Sequence, residues 1–220
     1  CLASLERRPE GCLIVRNKAP LAPYATKLTE RLEHWAKTAP DRVWLAGREN
    51  GDWRKITYGQ ALASARRIAS AILERGLSAE RPLMILSGND LDHAMLGMGA
   101  IYAGIAYAPI SPAYSLISSD HAKLKYIIEL VTPGLIYASD GAVFAKAIEH
   151  AVPRNVELAV TRNPPASRGA TLFSELEHAR ETPAVDAANA AISSDTIAKF
   201  LFTSGSTGMP KAVINTQRML

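Results

Sequence analysis

The sequence contains few cysteines and few aromatic residues. Only 2 of its 220 residues are cysteine, Cys1 and Cys12, and aromatic residues make up 6%. Two cysteines do not build a disulfide framework, and neither has a histidine or another cysteine nearby at the spacing of a metal site. This usage excludes a disulfide-stabilised secreted domain and fits a reducing compartment. We therefore expect a cytoplasmic location.

The chain also lacks a long apolar run and a basic stripe. No formal charge occurs from residue 94 to residue 119, but glycines interrupt the segment, and Pro109 and Pro112 close it. A membrane-spanning helix needs about 20 consecutive apolar residues, so we predict a small-residue helix and a buried strand at 105–108 instead of a membrane span. The net charge of +4 is spread along the chain. Nucleic-acid binding is therefore not indicated.

Length and composition are those of a globular domain. Hydrophobic residues make up 48% of the chain and charged residues 21%, which is enough for one large core. The sequence starts with Cys1, not Met, and 216–220 resembles the first residues of a helix. We expect an N-terminal piece of a longer protein, with 1–26 as an extension and 27–220 as an incomplete domain.

Short apolar runs alternate with segments of helical periodicity. Leu83–Leu86 is continuously apolar between Pro82 and Gly88, which is typical of a buried parallel strand. Similar runs at 135–137 and 156–160 each follow a helical pattern. The alternation predicts an α/β fold with a doubly wound, mainly parallel sheet flanked by helices.

Several local signals refine this prediction. Asn50-Gly51 between two strand-like runs predicts a hairpin, and 28–36 has the spacing of an amphipathic helix. Asn89 is predicted to cap the helix after Leu83–Leu86, with Asp92 in a contact like that of a capping box. The segment 182–194 is rich in small and polar residues, and we predict a loose surface connector there.

A loop rich in glycine and hydroxyl residues lies near the end of the chain. It separates the short apolar runs 199–202 and 212–214, which we predict to be buried strands. Gly205 and Gly208 permit positive φ, so that successive backbone N–H groups can form an anion nest. The hydroxyl groups add donors. Lys211 adds a positive charge. At about 4 Å from a phosphate oxygen, the electrostatic attraction is roughly 4 kcal/mol at an effective dielectric constant near 20, before the cost of desolvation is subtracted. The predicted phosphate-binding residues are Thr203, Ser204, Gly205, Ser206, Thr207, Gly208 and Lys211.

The loop does not match two common phosphate-binding patterns. A Walker loop has Gly before its Lys and Ser or Thr after it, but this chain has Pro210 and Ala212 there. The dinucleotide fingerprint needs a G-x-G start and a helix directly after the loop, and both are missing from the pattern.

The stretch Thr203–Lys211 resembles the nucleotide loop of the adenylate-forming superfamily. This superfamily includes acyl-CoA synthetases, luciferases and the adenylation domains of peptide synthetases. Its pattern is a Ser/Thr/Gly run followed by Thr-Gly-x-Pro-Lys and usually Gly, where this chain has Ala212. Thr57-Tyr58 and the segment Tyr102–Pro112 resemble two earlier landmarks, in the expected order. The resemblance covers roughly residue 28 to the end.

Within the superfamily the sequence is most similar to feruloyl-CoA synthases, at 28–36, 108–116 and 215–219. This similarity implies an ATP-dependent acid–CoA ligase that uses Mg2+, with ATP and coenzyme A as co-substrates and a small carboxylic acid such as ferulate as substrate. The carboxylate attacks the α-phosphate of ATP, and the CoA thiol then displaces AMP. Lys211 is the implied catalytic residue, nearest to the departing pyrophosphate.

Other functions remain open at this point. An ATP-binding module without catalysis, a ligase for another aromatic or fatty acid, and a structural α/β domain with a flexible loop all fit parts of the sequence. The family's residues for adenine, ribose and magnesium are expected beyond Leu220, so we expect these 220 residues to be inactive alone. The sequence leaves the oligomeric state open.

Overall fold

The fold is described from a computed structural model, for residues 2–20, 22–49, 51–203 and 208–220. The strands are β1 (Ala3–Arg7), β2 (Leu13–Asn17), β3 (Val43–Glu49), β4 (Asp52–Thr57), β5 (Leu83–Leu86), β6 (Tyr107–Ile110), β7 (Leu135–Asp140), β8 (Glu157–Arg162), β9 (Thr171–Leu172), β10 (Ile197–Thr203) and β11 (Lys211–Thr216). The helices are α1 (Thr29–Thr38), α2 (Tyr58–Glu74), α3 (Leu91–Tyr102), α4 (Pro112–Leu116), α5 (Ala122–Val131), α6 (Ala145–Ala151), α7 (Phe173–Glu177) and α8 (Ala184–Ala190). A 3-10 turn, Gln217–Met219, follows β11.

Seven strands form the central sheet, in the order β11-β10-β6-β5-β7-β8-β9. All neighbouring pairs are parallel except β10 and β11, which are antiparallel. The chain enters at β5 in the middle, extends to β6 on one side and then crosses to β7 on the other side. This order confirms the predicted doubly wound, mainly parallel sheet.

The sheet is covered on both faces. Leu83 and Ile85 belong to a core shared with α1, α2 and α3, whereas Met84 and Leu86 belong to a second core with α5 and α6. Successive side chains of a strand point to opposite faces, so the uninterrupted apolar run of β5 serves both cores. None of the helices among the described residues is long and apolar enough to cross a membrane.

Two hairpins lie outside the central sheet. The strands β3 and β4 are antiparallel, as predicted, although Asn50 lies outside the described residues. The strands β1 and β2 form a second antiparallel ribbon. The limit at residue 26 between extension and domain stays a prediction.

Two predicted local features are wrong. Asp90, not Asn89, caps α3, since its Oδ1 accepts a hydrogen bond from the His93 amide at 2.7 Å. Asp92 makes no capping contact there. It is buried and bonded to Arg54 and Thr161.

The predicted loose connector 182–194 contains a packed helix. Val185 on α8 is buried in the first core. Asn189 is also buried, and its side chain accepts from Lys27 Nζ at 2.8 Å and donates to Thr29 Oγ1 at 3.2 Å. The small residues of α8 therefore allow close packing. Composition alone did not distinguish such a packed helix from a flexible segment.

The last two strands, β10 and β11, are less buried than the sequence predicted. Leu201 on β10 is 36% exposed, and Val213 and Ile214 on β11 are 48% and 52% exposed. The reason is that β11 is the outermost strand of the sheet, with a described neighbour on one side only. The strand predicted at 105–108 is also displaced to Tyr107–Ile110, because Gly104 adopts φ +68 after α3 and the chain turns before pairing.

We predict that Gly99→Ala destabilises the fold by about 1–3 kcal/mol through overpacking. A Cβ atom on Gly99 in α3 would lie 2.4 Å from Ile68 Cγ2 and 2.7 Å from Ile68 Cβ on α2. Thermal or urea unfolding measures the loss. Gly169→Ala is the control, since nothing lies within 4 Å of its Cβ position. Gly99→Ala should cost less in an Ile68→Ala background, which removes Cγ2 but keeps Cβ, and an equal cost in both backgrounds would contradict the steric explanation.

Candidate functional site

The parallel strands bring several loops to one edge of the sheet. The loops after β5, β6, β7, β8 and β10 all start at the carboxyl ends of parallel strands. The connection after β5 leads to α3 in the first core, whereas the connection after β6 leads to α5 in the second core. Ligands of open α/β sheets bind at such a point, where neighbouring connections leave on opposite faces. Because β10 is parallel to β6 and pairs with it, the loop that follows β10 begins beside the carboxyl end of β6.

The two ends of this loop are fixed by the β10–β11 hairpin. Thr203 is paired with Lys211 in the ladder, and its Oγ1 lies 3.5 Å from the Lys211 carbonyl oxygen, to which it donates. Gly208 adopts φ +91, the conformation for which the sequence predicted a glycine, and Pro210 is buried. Ser204, Gly205, Ser206 and Thr207 lie outside the described residues. The structure thus locates Thr203, Gly208 and Lys211 of the seven predicted residues.

The side chain of Lys211 is exposed and available for a ligand. Among the described residues, no carboxylate forms an ion pair with its ammonium group. Lys199, on the same strand as Thr203, lies four residues away, about 13 Å along β10. Of Lys199 and Lys211, Lys211 is therefore the one next to the loop.

A polar cleft lies at the same edge, at the ends of β7 and β8. Its volume is about 530 Å3. The residues that line it are Arg48, Glu49, Arg54, Asp90, Leu91, Asp92, Ser139, Thr161 and Arg162. Since β5 and β6 separate β7 from β10, the cleft lies roughly 14–19 Å from the loop.

Most charges near this cleft are already paired. Arg54 Nη1 donates to Asp92 Oδ1 at 2.8 Å and to Glu49 Oε1 at 3.0 Å. The other oxygen of Asp92 accepts from Thr161 Oγ1 at 2.9 Å. Burial raises the pKa of Asp90, and the neighbouring Asp92 carboxylate acts in the same direction, although the His93 amide opposes both. The network holds the β3–β4 hairpin against the sheet.

Asp140 joins the end of β7 to the end of β8. Its Oδ1 accepts from the Ala142 and Val143 amides at 2.9 and 3.1 Å, and its Oδ2 accepts from Arg162 Nε at 2.8 Å and from Asn163 Nδ2 at 3.1 Å. Burial works to raise the pKa of this carboxyl group, but the Val143 amide, Arg162, Asn163 and the Ala142 amide together outweigh it and lower the pKa.

Sequence reasoning did not identify this cleft. A usable signal was present, because Ser139-Asp140 and Thr161-Arg162 directly follow apolar runs that were predicted as strands. Polar residues at the carboxyl ends of parallel strands meet at one edge of the sheet. The pairing of Asp92 with Arg54, however, depends on the β3–β4 hairpin, which is far away in the sequence. It could not be predicted from spacing.

The fold is that of a doubly wound α/β domain, and the loop rich in glycine and hydroxyl residues follows a parallel strand at the carboxyl edge of its sheet. The family model "AMP-binding enzyme" matches residues 32–220. The chain therefore belongs to the AMP-binding enzyme family, and its fold is that of the N-terminal domain of adenylate-forming enzymes.

Individual relatives share the fold at low sequence identity. Indigoidine synthase from Streptomyces lavendulae is 27% identical over 181 residues, 82% of this chain and 12% of that protein. The structure of McyG A-PCP complexed with phenylalanyl-adenylate is similar at a TM-score of 0.68 and 21% identity, over 90% of this chain and 33% of that one. A benzoate CoA ligase from Burkholderia xenovorans LB400 gives a TM-score of 0.64 and 21% identity, over 88% of this chain and 35% of that one. The chain thus spans well under half the length of each of these proteins.

We predict that Asp140→Asn lowers stability at neutral pH by about 1–3 kcal/mol, the contribution of hydrogen bonds to a charged group. Because the folded-state pKa of Asp140 is lowered, the charged form stabilises the fold above the unfolded-state pKa, and this contribution is lost as the pH falls through the folded-state pKa.

Urea unfolding of both proteins from pH 7 to pH 2.5 checks this prediction. The difference between wild type and Asp140→Asn should shrink as the solution is acidified. Asp120→Asn is a useful comparison, since Asp120 also accepts backbone and hydroxyl hydrogen bonds but is exposed. A difference at Asp140 that is constant with pH would refute the electrostatic explanation.

Proposed function

We propose that this chain provides the triphosphate-binding part of an enzyme that activates a carboxylic acid with ATP. The carboxylate attacks the α-phosphate, which gives an acyl-adenylate and pyrophosphate. The observation that carries the proposal is the exposed Lys211, which pairs with Thr203 at the base of a glycine-containing loop in a member of the AMP-binding enzyme family.

The proposed role of the loop is to hold the β- and γ-phosphates while pyrophosphate leaves. Thr203, Ser204, Ser206 and Thr207 supply hydroxyl groups, Gly205 and Gly208 allow backbone N–H groups to converge, and Lys211 places its charge nearest to the departing group. Positioning and charge stabilisation are the main contributions of a protein to phosphoryl chemistry. A general base is unnecessary, since the attacking carboxylate is already ionised at neutral pH.

Magnesium fits the proposed reaction, but the described residues supply no cluster for it. Among the described residues, no group of three histidine, cysteine, aspartate or glutamate side chains could hold a metal ion. We therefore assign the predicted Mg2+ to no residue of this chain. ATP and coenzyme A are proposed as substrates.

The identity of the acid is the finer part of the proposal. An aromatic acid such as ferulate, followed by transfer to coenzyme A, is supported by the sequence similarity at 28–36, 108–116 and 215–219. The fold similarity to a benzoate CoA ligase agrees with an aromatic acid. Activation of an amino acid is the second candidate, because one similar structure carries phenylalanyl-adenylate.

We predict that Lys211→Ala reduces adenylation by about 100- to 1,000-fold, which is typical for loss of one preorganised charge or donor at a reacting centre. ATP–pyrophosphate exchange by the protein that contains this chain measures the effect. Lys199→Ala is the matched control, because it removes a lysine from the same hairpin but away from the loop. Exchange within threefold of wild type in Lys211→Ala would refute the proposed role of the loop. ATP binding without exchange for any acid would favour a nucleotide-binding module.

A substrate panel separates the two candidate acids. We expect pyrophosphate release with ferulate or coumarate to exceed release with phenylalanine or a long-chain fatty acid, followed by formation of the CoA thioester. Release that is strongest with an amino acid, without thioester formation on coenzyme A, would replace the ligase proposal by amino acid activation. Preference for long-chain acids would overturn the aromatic assignment alone.

A further inference from the structure

Two histidines meet on the second face of the sheet, outside the proposed nucleotide site. His121 directly precedes α5, adopts φ +54 and is buried, with 2% of its surface exposed. His150 lies in the last turn of α6 and is exposed. The centroids of their rings are 5.5 Å apart, and the ring planes are inclined by 64°.

The hydrogen bond of His121 fixes which of its nitrogens carries the proton. Nε2 lies 3.2 Å from the backbone carbonyl oxygen of Ser115. A carbonyl oxygen only accepts, so Nε2 carries the hydrogen and donates. In the neutral ring Nδ1 then presents a lone pair. This atom is buried and has no hydrogen-bond partner among the described residues.

His121 shares one feature with metal-binding histidines. Such a histidine almost always donates its second ring N–H to a carbonyl or carboxylate oxygen, which fixes the ring and leaves the other nitrogen for the metal. Two imidazoles that bind one zinc ion at about 2.0–2.1 Å in tetrahedral geometry have ring centroids roughly 5 Å apart. The observed 5.5 Å is close to that value. The Ser115 hydroxyl oxygen is also buried without a partner among the described residues.

We propose that His121 and His150 bind a divalent transition-metal ion, of which Zn2+ is the probe of choice. Imidazole ligands favour Zn2+, Ni2+ and Cu2+ over Mg2+ and Ca2+. His121 binds through Nδ1 and His150 through one ring nitrogen, and water fills the other positions. No third histidine, cysteine or carboxylate forms a group with them in the described part of the chain. Binding is therefore weaker than at a structural zinc site with four protein ligands.

The other histidines make a matched control available. His178 Nδ1 lies 2.8 Å from the Ser174 carbonyl oxygen of its own helix, and His93 Nδ1 lies 2.8 Å from Ser87 Oγ. His178 is exposed, like His150, so its substitution removes an exposed histidine without touching the pair.

Calorimetric titration of the untagged chain with ZnCl2 tests the proposal. We expect one Zn2+ per chain, at least tenfold weaker binding in His150→Gln and unchanged binding in His178→Gln. His150 is exposed, so His150→Gln should fold normally. His121→Asn should also abolish the site, and asparagine tolerates the left-handed backbone of residue 121.

Thermal unfolding gives an independent readout. Zn2+ should raise the unfolding temperature of wild type and His178→Gln but not of His150→Gln, since an ion that binds only the folded state stabilises it by mass action. Absence of binding by the wild-type chain would overturn the proposal. So would equal affinity in wild type and His150→Gln.

Discussion

The burial of β5 on both faces is the constraint on which the rest of the structure depends. Its four residues are fully buried, and each pair of alternate side chains serves a different core. A strand buried in this way must have helices above and below it, and right-handed parallel connections supply them. All parallel strands consequently end at the same edge. The loop after β10 and the polar cleft beside β7 therefore occupy one side of the molecule.

The loop after β10 differs physically from a phosphate loop that opens a helix. Here an antiparallel strand, β11, follows, so this element directs no helix N-terminus at the proposed phosphate site. The favourable dipole of a helix end is missing at this point. In the proposed function, backbone N–H groups of the loop and the charge of Lys211 provide the attraction for a polyphosphate. This explains why a single lysine, fixed in a ladder pair with Thr203, has so large a proposed effect.

The sequence was sufficient for the fold but only partly for the site. Periodicity located β5 and α1 because local pattern and tertiary burial agree there. It failed at α8, where small residues pack closely, and at β11, where apolar residues remain exposed at the edge of the sheet. Glycine and lysine spacing predicted a phosphate-binding loop, and this role stays a prediction. The pairing of Asp92 with Arg54 depends on contacts between distant segments, which no local pattern encodes.

The proposed acid substrate is harder to infer than the proposed nucleotide, for a physical reason. The similar structures include a benzoate CoA ligase and a complex with phenylalanyl-adenylate, so one fold serves acids with and without an ammonium group. A buried ammonium group needs a carboxylate partner, because leaving it unpaired is costly. Asp92 and Asp140 at the carboxyl edge are already bonded to Arg54 and Arg162 and are not available for this role. These two carboxylates of the described edge therefore give no support to an amino acid, and the choice depends on the residues that surround the reacting acid.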